Sequence, residues 1–288
     1  MKILITGANG QLGNEMRVIA KSNTQHEFVF TDVQELNICD KDAVNAFFKE
    51  GRFDFVVNCA AYTAVTNAEK DFDKSLALNR DAVRNIGEAA AENGAKVIHI
   101  STDYVFDGTA HTPYTEDMPV NPQSVYGKTK YDGEAALTQS GCDYVIIRTA
   151  WLYSSFGNNF VKTMIKLGST RDKLTVIFDQ IGTPTYAADL AKAIMAVIDS
   201  KEFIGGTFHF SNEGVCSWYD FAKAIHQLYG IKSCEVLPLE TKDYPDDTPR
   251  PAYSVLNKAK IKNTYGVKIP HWYESLSKCI EILKEQEI

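Results

Sequence analysis

The 288-residue chain carries 30 Lys and Arg against 37 Asp and Glu, a formal charge of −7, which argues against a general nucleic-acid surface. Hydrophobic residues at 44% and charged ones at 23% exclude disorder, and no apolar run is long enough to span a bilayer. With no basic-then-apolar leader before the first strand, a cytoplasmic protein without membrane or nucleic-acid partners is expected. The six cysteines lack C-x-x-C spacing and the six histidines lack metal-ligand spacing, so reduced, structural thiols and no metal site are expected.

Lys2-Ile-Leu-Ile-Thr6 is a short, partly β-branched run that predicts the first strand. Gly7, Gly10 and Gly13 follow with G-x-x-G-x-x-G spacing, and a helical pattern runs from Gln11 to Ala20. A strand, a glycine turn and a helix supply the parts of a dinucleotide site. The first glycine allows the tight turn, the second lets backbone approach a pyrophosphate, and the third lets helix and strand pack closely. Glu27-Phe-Val-Phe-Thr31 predicts a second strand that ends at Asp32. A carboxylate there can accept hydrogen bonds from a ribose diol and would repel a 2′-phosphate, which leans toward NADH over NADPH.

A helix over 40–50, with Asp40 as N-cap, precedes a third strand at 53–59. A long helix over 73–93 stops at Gly94, as a left-handed glycine just past a helix does. Strands four and five are expected at 96–101 and 143–148. Continuous apolar strands between helices indicate a doubly wound parallel sheet of Rossmann type, whose ligands bind beyond the strands' carboxyl ends. Residues 58–63, 102–106 and 149–153 leave such ends. Residues 1–151 are therefore expected to form the NAD(P)-binding unit, and 152–288 mainly a smaller α/β substrate lobe. In the second part, helices are expected at 158–167, 187–199 and 273–285 and strands at 174–178 and 207–210, with segments near 174–211 returning to the sheet. A proline-bearing stretch occupies 237–251.

Tyr126 and Lys130, four residues apart, share a helix face, so a phenol and an ammonium can converge. A cation beside a tyrosine favours its phenolate and draws its pKa toward the working range. Lys128, two residues away, points around the helix. A phenol so tuned, near a glycine loop, can act as a general acid.

Four segments together resemble the extended short-chain dehydrogenase/reductase family: Thr6-Gly-Ala-Asn-Gly-Gln-Leu-Gly13, Asn58-Cys-Ala-Ala-Tyr-Thr63, Ser101-Thr-Asp-Tyr-Val-Phe-Asp-Gly108 and Tyr126-Gly-Lys-Thr-Lys130. Within it, Arg148-Thr-Ala-Trp151, Gly157-Asn-Asn-Phe-Val-Lys-Thr-Met164, Asp179-Gln-Ile-Gly-Thr-Pro-Thr185 and Arg250-Pro251 resemble its deoxysugar-nucleotide reductases. The resemblance implies NADH- or NADPH-dependent reduction of the 4-keto group of dTDP-4-dehydro-L-rhamnose, the last step of dTDP-L-rhamnose synthesis in bacteria. It implies that Tyr126 donates the proton, that Lys130 holds the nicotinamide ribose, and that Thr102 hydrogen-bonds the carbonyl. Gly7, Asn9, Gly10, Gln11, Leu12 and Gly13 would surround the pyrophosphate, Asp32 the adenosine ribose, and Asn37 and Ile38 the adenine. Ala60, Ala61 and Thr63 would line the cofactor at the third strand. Asp103 and Trp151 would line the sugar pocket, with Asn159, Lys162 and Arg250 toward the nucleotide and its diphosphate.

Some members of the family bind magnesium at a dimer interface through glutamates. Tyr186-Ala-Ala-Asp-Leu190 holds none and the counterpart at Glu281 or Ile282 is not distinct, so no magnesium is expected and the protein is a monomer or a homodimer. Relatives also serve as regulatory subunits of methionine adenosyltransferase, which need no Thr-Tyr-Lys set; here that set is complete. Epimerases and dehydratases share the fold, but dehydratases commonly place an acidic pair after the strand-four threonine, where this chain has Asp103-Tyr104.

Overall fold

The computed structural model describes residues 1–286. The first half runs β1 (Lys2–Thr6), α1 (Gln11–Ala20), β2 (Glu27–Thr31), α2 (Lys41–Gly51), β3 (Phe55–Asn58), α3 (Val65–Ala68), α4 (Phe72–Leu76), α5 (Ala82–Asn93), β4 (Lys96–Thr102), α6 (Val125–Gln139) and β5 (Tyr144–Thr149). There follow β6 (Leu152–Tyr153), α7 (Phe160–Gly168), β7 (Lys173–Ile177), β8 (Ile181–Gly182), β9 (Thr185–Tyr186), α8 (Ala187–Ile198) and β10 (Gly206–His209). The chain then forms β11 (Cys216–Ser217), α9 (Trp218–Tyr229), β12 (Glu235–Leu239), α10 (Ala259–Tyr265) and α11 (Trp272–Glu285).

Six strands make one sheet in the order β10-β5-β4-β3-β1-β2, with every neighbouring pair parallel. Strands buried on both faces explain the unbroken apolar runs: Ile3, Ile5 and Val57 face Leu12 and Met16 of α1 and Leu190 and Ile194 of α8. Leu4, Val56 and Val97 face the other way, against Val44 and Phe48 of α2 and Val83 and Ile86 of α5. The strand order reverses between β1 and β3, and the crevice outside their carboxyl ends is where ligands of such sheets bind.

Local chemistry sets the element ends. Asp40 caps α2 by accepting from the Ala43 N–H, and Gly94 closes α5 at φ +70°. The long helix expected over 73–93 is interrupted by a π turn at Ala77–Asp81, where the buried Asn79 turns its amide to the Tyr62 backbone.

The range 174–211 divides. β10 joins the sheet beside β5 and α8 covers its face. β7 does not return to it: it pairs in parallel with β12 in a separate two-stranded sheet. Lys173 and Thr175 are exposed while Leu174 and Val176 are buried, which suits a strand covered on one face over most of its length. A second core gathers Val161 and Ile165 of α7, Phe221 and Ile225 of α9, and Leu276 and Ile280 of α11. Helix α9 and strand β12, for which no expectation was drawn from sequence, are the centre of this lobe. Among the described residues no helix is long and apolar enough to cross a membrane, and no His, Cys, Asp and Glu cluster could hold a metal ion. All six cysteines are free thiols.

Candidate active site

The glycine loop is shaped by lack of space. Gly7 sits at φ +62°, and a side chain there would come within 2.7 Å of the Ala60 backbone. A Cβ on Gly13 would lie 2.5 Å from the Gly7 carbonyl, so α1 docks where only glycine permits. Gly10 caps α1 without a side-chain hydrogen bond, and the first turn holds no acid, leaving the helix N-terminus to an anionic ligand.

Asp32 lies at the end of β2. Its Oδ2 accepts from the Asn9 N–H at 3.0 Å and its Oδ1 from the Val33 N–H at 2.8 Å, and each oxygen keeps a further lone pair. The loop and the ends of β3, β4 and β5 border a cavity of about 570 Å³ that reaches Gly7, Gly10, Gln11, Leu12 and Gly13 at one end. Ala61 and Thr63 line it after β3. Ala60 sits behind them against Gly7. Asn37 and Ile38 lie in the β2–α2 connection, outside this cavity. Asn37 is exposed, and Ile38 is buried in the core beneath α2.

Thr102, Asp103, Tyr126 and Lys130 meet in the same cavity. Ser124 caps α6 by accepting from the Gly127 N–H at 3.1 Å, and Gly127 and Gly133 let α6 lie against the backbones of Tyr104 and Asn79. Tyr126 thereby projects from the first helical turn into the cavity that Thr102 lines, close enough for the Thr102 hydroxyl to act on its phenol. The Thr102 hydroxyl donates to Asp103 Oδ1 at 2.9 Å. Burial pushes the Asp103 carboxyl up to about 6, against hydrogen bonds from Thr102 and Ser254.

Burial also holds the Tyr126 phenol above its ordinary value, with the Thr102 hydrogen bond pulling the other way. The resting site thus differs from the expectation of a phenol drawn down by its lysine. Lys130, 1% exposed, turns its Nζ to the Ile100 carbonyl at 2.6 Å. Burial brings the Lys130 amine down to about 8, with Glu134 opposing that shift. Lys128 is exposed.

The opposite wall is aromatic and cationic. Trp151, at φ +48°, stacks on Trp218 with ring centroids 3.6 Å apart and planes at 12°, and Phe160 leans on Trp218 at 4.7 Å. Arg250 donates to Asp246 at 2.9 Å and to Thr66 at 3.3 Å, tying the C-terminal segment to α3 across the mouth. Arg250 and Trp218 border both this cavity and a neighbouring one of about 480 Å³, walled by Met164, Leu174, Tyr244 and Arg171.

Asn159 lines the main cavity, but its amide is engaged. It donates to Gln11 and to two backbone carbonyls, and it caps α7 through the Lys162 N–H. Lys162 lies outside both cavities, on the side of α7 where its charge acts on Cys279 of α11.

Three features escaped the sequence. Trp218 had a detectable context, an aromatic just after the serine of a Ser-x-x-Asp capping box. Asn79 had no local marker; it bonds Tyr62, Ser75 and Thr129. The buried pair Glu134–Arg148 bridges α6 and β5 through two hydrogen bonds of 2.9 and 2.7 Å.

A glycine loop at the first crossover, opposed across the strand ends by a Thr–Tyr–Lys set, defines a dinucleotide-binding protein of the short-chain dehydrogenase/reductase class. Within that class, the family model described as RmlD substrate binding domain matches residues 1–285, and the chain belongs to that family. The chain is 41% identical over 281 residues to a spore coat polysaccharide biosynthesis protein, SpsK, of Bacillus subtilis, covering 97% of each. It is also similar to a dTDP-4-dehydrorhamnose reductase from Clostridium acetobutylicum, with 49% identity and a TM-score of 0.95 over 99% of this chain and 100% of that one. The dTDP-4-dehydrorhamnose reductase of Bacillus anthracis, solved in complex with NADP, gives 38% identity and a TM-score of 0.93, covering 98% and 99%.

Proposed function

We propose that the protein is an NADH- or NADPH-dependent oxidoreductase that reduces the 4-keto group of dTDP-4-dehydro-β-L-rhamnose to dTDP-β-L-rhamnose, completing dTDP-rhamnose synthesis for bacterial polysaccharide. The observation that carries this reading is a single cavity joining the glycine loop to the Thr102–Tyr126 pair and to the Trp151–Trp218 wall. The full-length likeness to reductases of this sugar nucleotide supplies the substrate.

The residues fit a dinucleotide. Gly7 and Gly13 leave no room for side chains, the α1 N-terminus faces the cavity without a competing acid, and Asp32 retains lone pairs for ribose hydroxyls. Bound there, the reduced coenzyme supplies a hydride to the carbonyl carbon. Thr102 orients the carbonyl oxygen, and Tyr126 delivers its phenolic proton to it. Hydride on carbon and proton on oxygen would together give the alcohol.

Burial suits this division of labour. A phenol whose pKa is raised stays protonated at neutral pH and available to donate. The phenolate left behind is met by the Lys130 ammonium, which also holds the nicotinamide ribose. Trp151 packs against the methyl-bearing face of the sugar, with Asp103 beside it, and Arg250 neutralises diphosphate charge. Asp32 favours NADH, since its carboxylate opposes a 2′-phosphate. We assign the protein to the cytoplasm, as a monomer or homodimer.

The test is direct. Purified protein with dTDP-4-dehydro-L-rhamnose should oxidise reduced nicotinamide one-for-one and yield dTDP-L-rhamnose. Interconversion of sugars with no net oxidation would instead mark an epimerase, and inertness toward both the rhamno and the unepimerised 4-keto sugars would remove the reading. Parallel kinetics with NADH and NADPH tests Asp32; a preference of about tenfold for NADPH, near 1.4 kcal/mol, would overturn its assigned role.

A further inference from the structure

Behind Lys130 a buried polar chain runs into the sheet, and none of the roles above uses it. Thr6 of β1, Asn58 of β3 and His99 of β4 are each at most 1% exposed. Asn58 Oδ1 receives the Thr6 hydroxyl at 2.7 Å and the Ala60 backbone N–H at 3.2 Å. A backbone N–H is a donor under all conditions, so the atom facing it is the amide oxygen, and the other end of Asn58 is its NH₂. That NH₂ lies 3.1 Å from His99 Nδ1 and donates to it. His99 Nδ1 therefore carries no proton. Burial holds the imidazole well below its usual pKa, so it is neutral and its proton sits on Nε2. Nε2 lies 3.5 Å from Lys130 Nζ.

A lysine ammonium has donors only, and here it would confront another donor. An uncharged amine satisfies the arrangement: it accepts from His99 Nε2–H and donates to the Ile100 carbonyl at 2.6 Å. We infer that neutral His99, locked in its Nε2–H tautomer by Asn58, is a positioning residue that stabilises the uncharged amine of Lys130 and so sets the pH at which that side chain changes charge.

The other groups around Lys130 do not replace this control. Glu134, one turn along α6, favours the ammonium, but its carboxylate is shared with Arg148 of β5 and with the Ser101 hydroxyl of β4. The Cys59 thiol at the end of β3 is neutral, pushed up to about 12 by burial. The Tyr126 phenol is neutral as well, and Asp103 beyond β4 is engaged with Thr102. With its pKa lowered, Lys130 is charged below that value and loses its charge earlier on the alkaline side than a free lysine.

The experiment reads Lys130 itself and needs no turnover, so it stands apart from the proposed reaction. Full-length protein labelled with ¹³Cε-lysine is titrated by NMR, with the Lys130 signal assigned by Lys130→Met. Two variants remove the opposing donor in different ways. His99→Phe deletes it, whereas Asn58→Asp draws the histidine proton to Nδ1 and turns Nε2 into an acceptor for the ammonium. Each folded variant should raise the Lys130 midpoint by about one pH unit or more, a tenfold gain in proton affinity. An unchanged or lowered midpoint overturns the inference. The wild-type protein gives a second, independent check through its ¹⁵N-histidine shifts: Nδ1 should be unprotonated and Nε2 protonated, and the reverse pattern also overturns it.

Discussion

On the sheet side of the cleft, what meets a ligand is backbone and the smallest side chains: Gly7, Gly10, Ala61 and the first turn of α1. On the lobe side it is the largest: Trp151, Trp218 and Arg250. In the proposed function the first wall would meet what all dinucleotides share, phosphates and sugar hydroxyls, through groups that cannot be exchanged without moving the chain. The second presents stacking faces and one guanidinium, whose chemistry changes with single substitutions. The proposed function thus assigns shared cofactor and variable substrate to different materials. Tyr126, Thr102 and Lys130 stand between the two walls.

This contrast can be broken at three points. The largest effect is expected at the junction. Tyr126→Phe removes the proton donor and should lower kcat by about 1000-fold or more while leaving coenzyme affinity, read by NADH fluorescence titration, unchanged. Turnover near the wild-type rate would transfer the acid to another residue. Next, Glu134→Ala tests the rigid side. Glu134 and Arg148 are 4% and 5% exposed at their side chains, and removing one partner strands a buried charge. A loss of about 3 kcal/mol or more in urea unfolding is expected. A cost below about 1 kcal/mol would show that water reaches Arg148. The smallest effect belongs to the aromatic wall. Trp218→Ala removes the face on which Trp151 stacks and should raise the KM for the nucleotide sugar by about tenfold, close to 1.4 kcal/mol, with coenzyme binding intact. A loss confined to the coenzyme would dissolve the distinction between the walls.

The same contrast explains what could be read without coordinates. The sheet side is written in local order: the apolar run of β1, three glycines at fixed spacing and the amphipathic turn of α1 are contiguous, so periodicity and steric logic suffice. The Tyr126–Lys130 pair was legible because a helix brings residues four apart onto one face. Asn159 and Lys162 show the limit of that reasoning. Both sit in or beside the α7 cap, yet one amide is consumed by Gln11 and nearby carbonyls and the other side chain turns toward α11. The lobe side is assembled from distant segments. Trp151 meets Trp218 across 67 residues of chain, and β7 pairs with β12 and not with the main sheet. Pairings made by tertiary packing leave no period in the sequence, and the Asn58–His99 link between neighbouring strands is of the same kind.

Trp151 occupies left-handed backbone space, with Gly182 so close beneath that an added Cβ there would lie 2.7 Å from the indole. For a bulky residue that conformation costs about 1–2 kcal/mol, borne by the folded state whether or not anything is bound. In return the ring is held in place by its contacts with Gly182 and Trp218 before any ligand arrives. The entropy of ordering the platform is therefore charged to folding and not to affinity, and a ligand meets a surface that is already still.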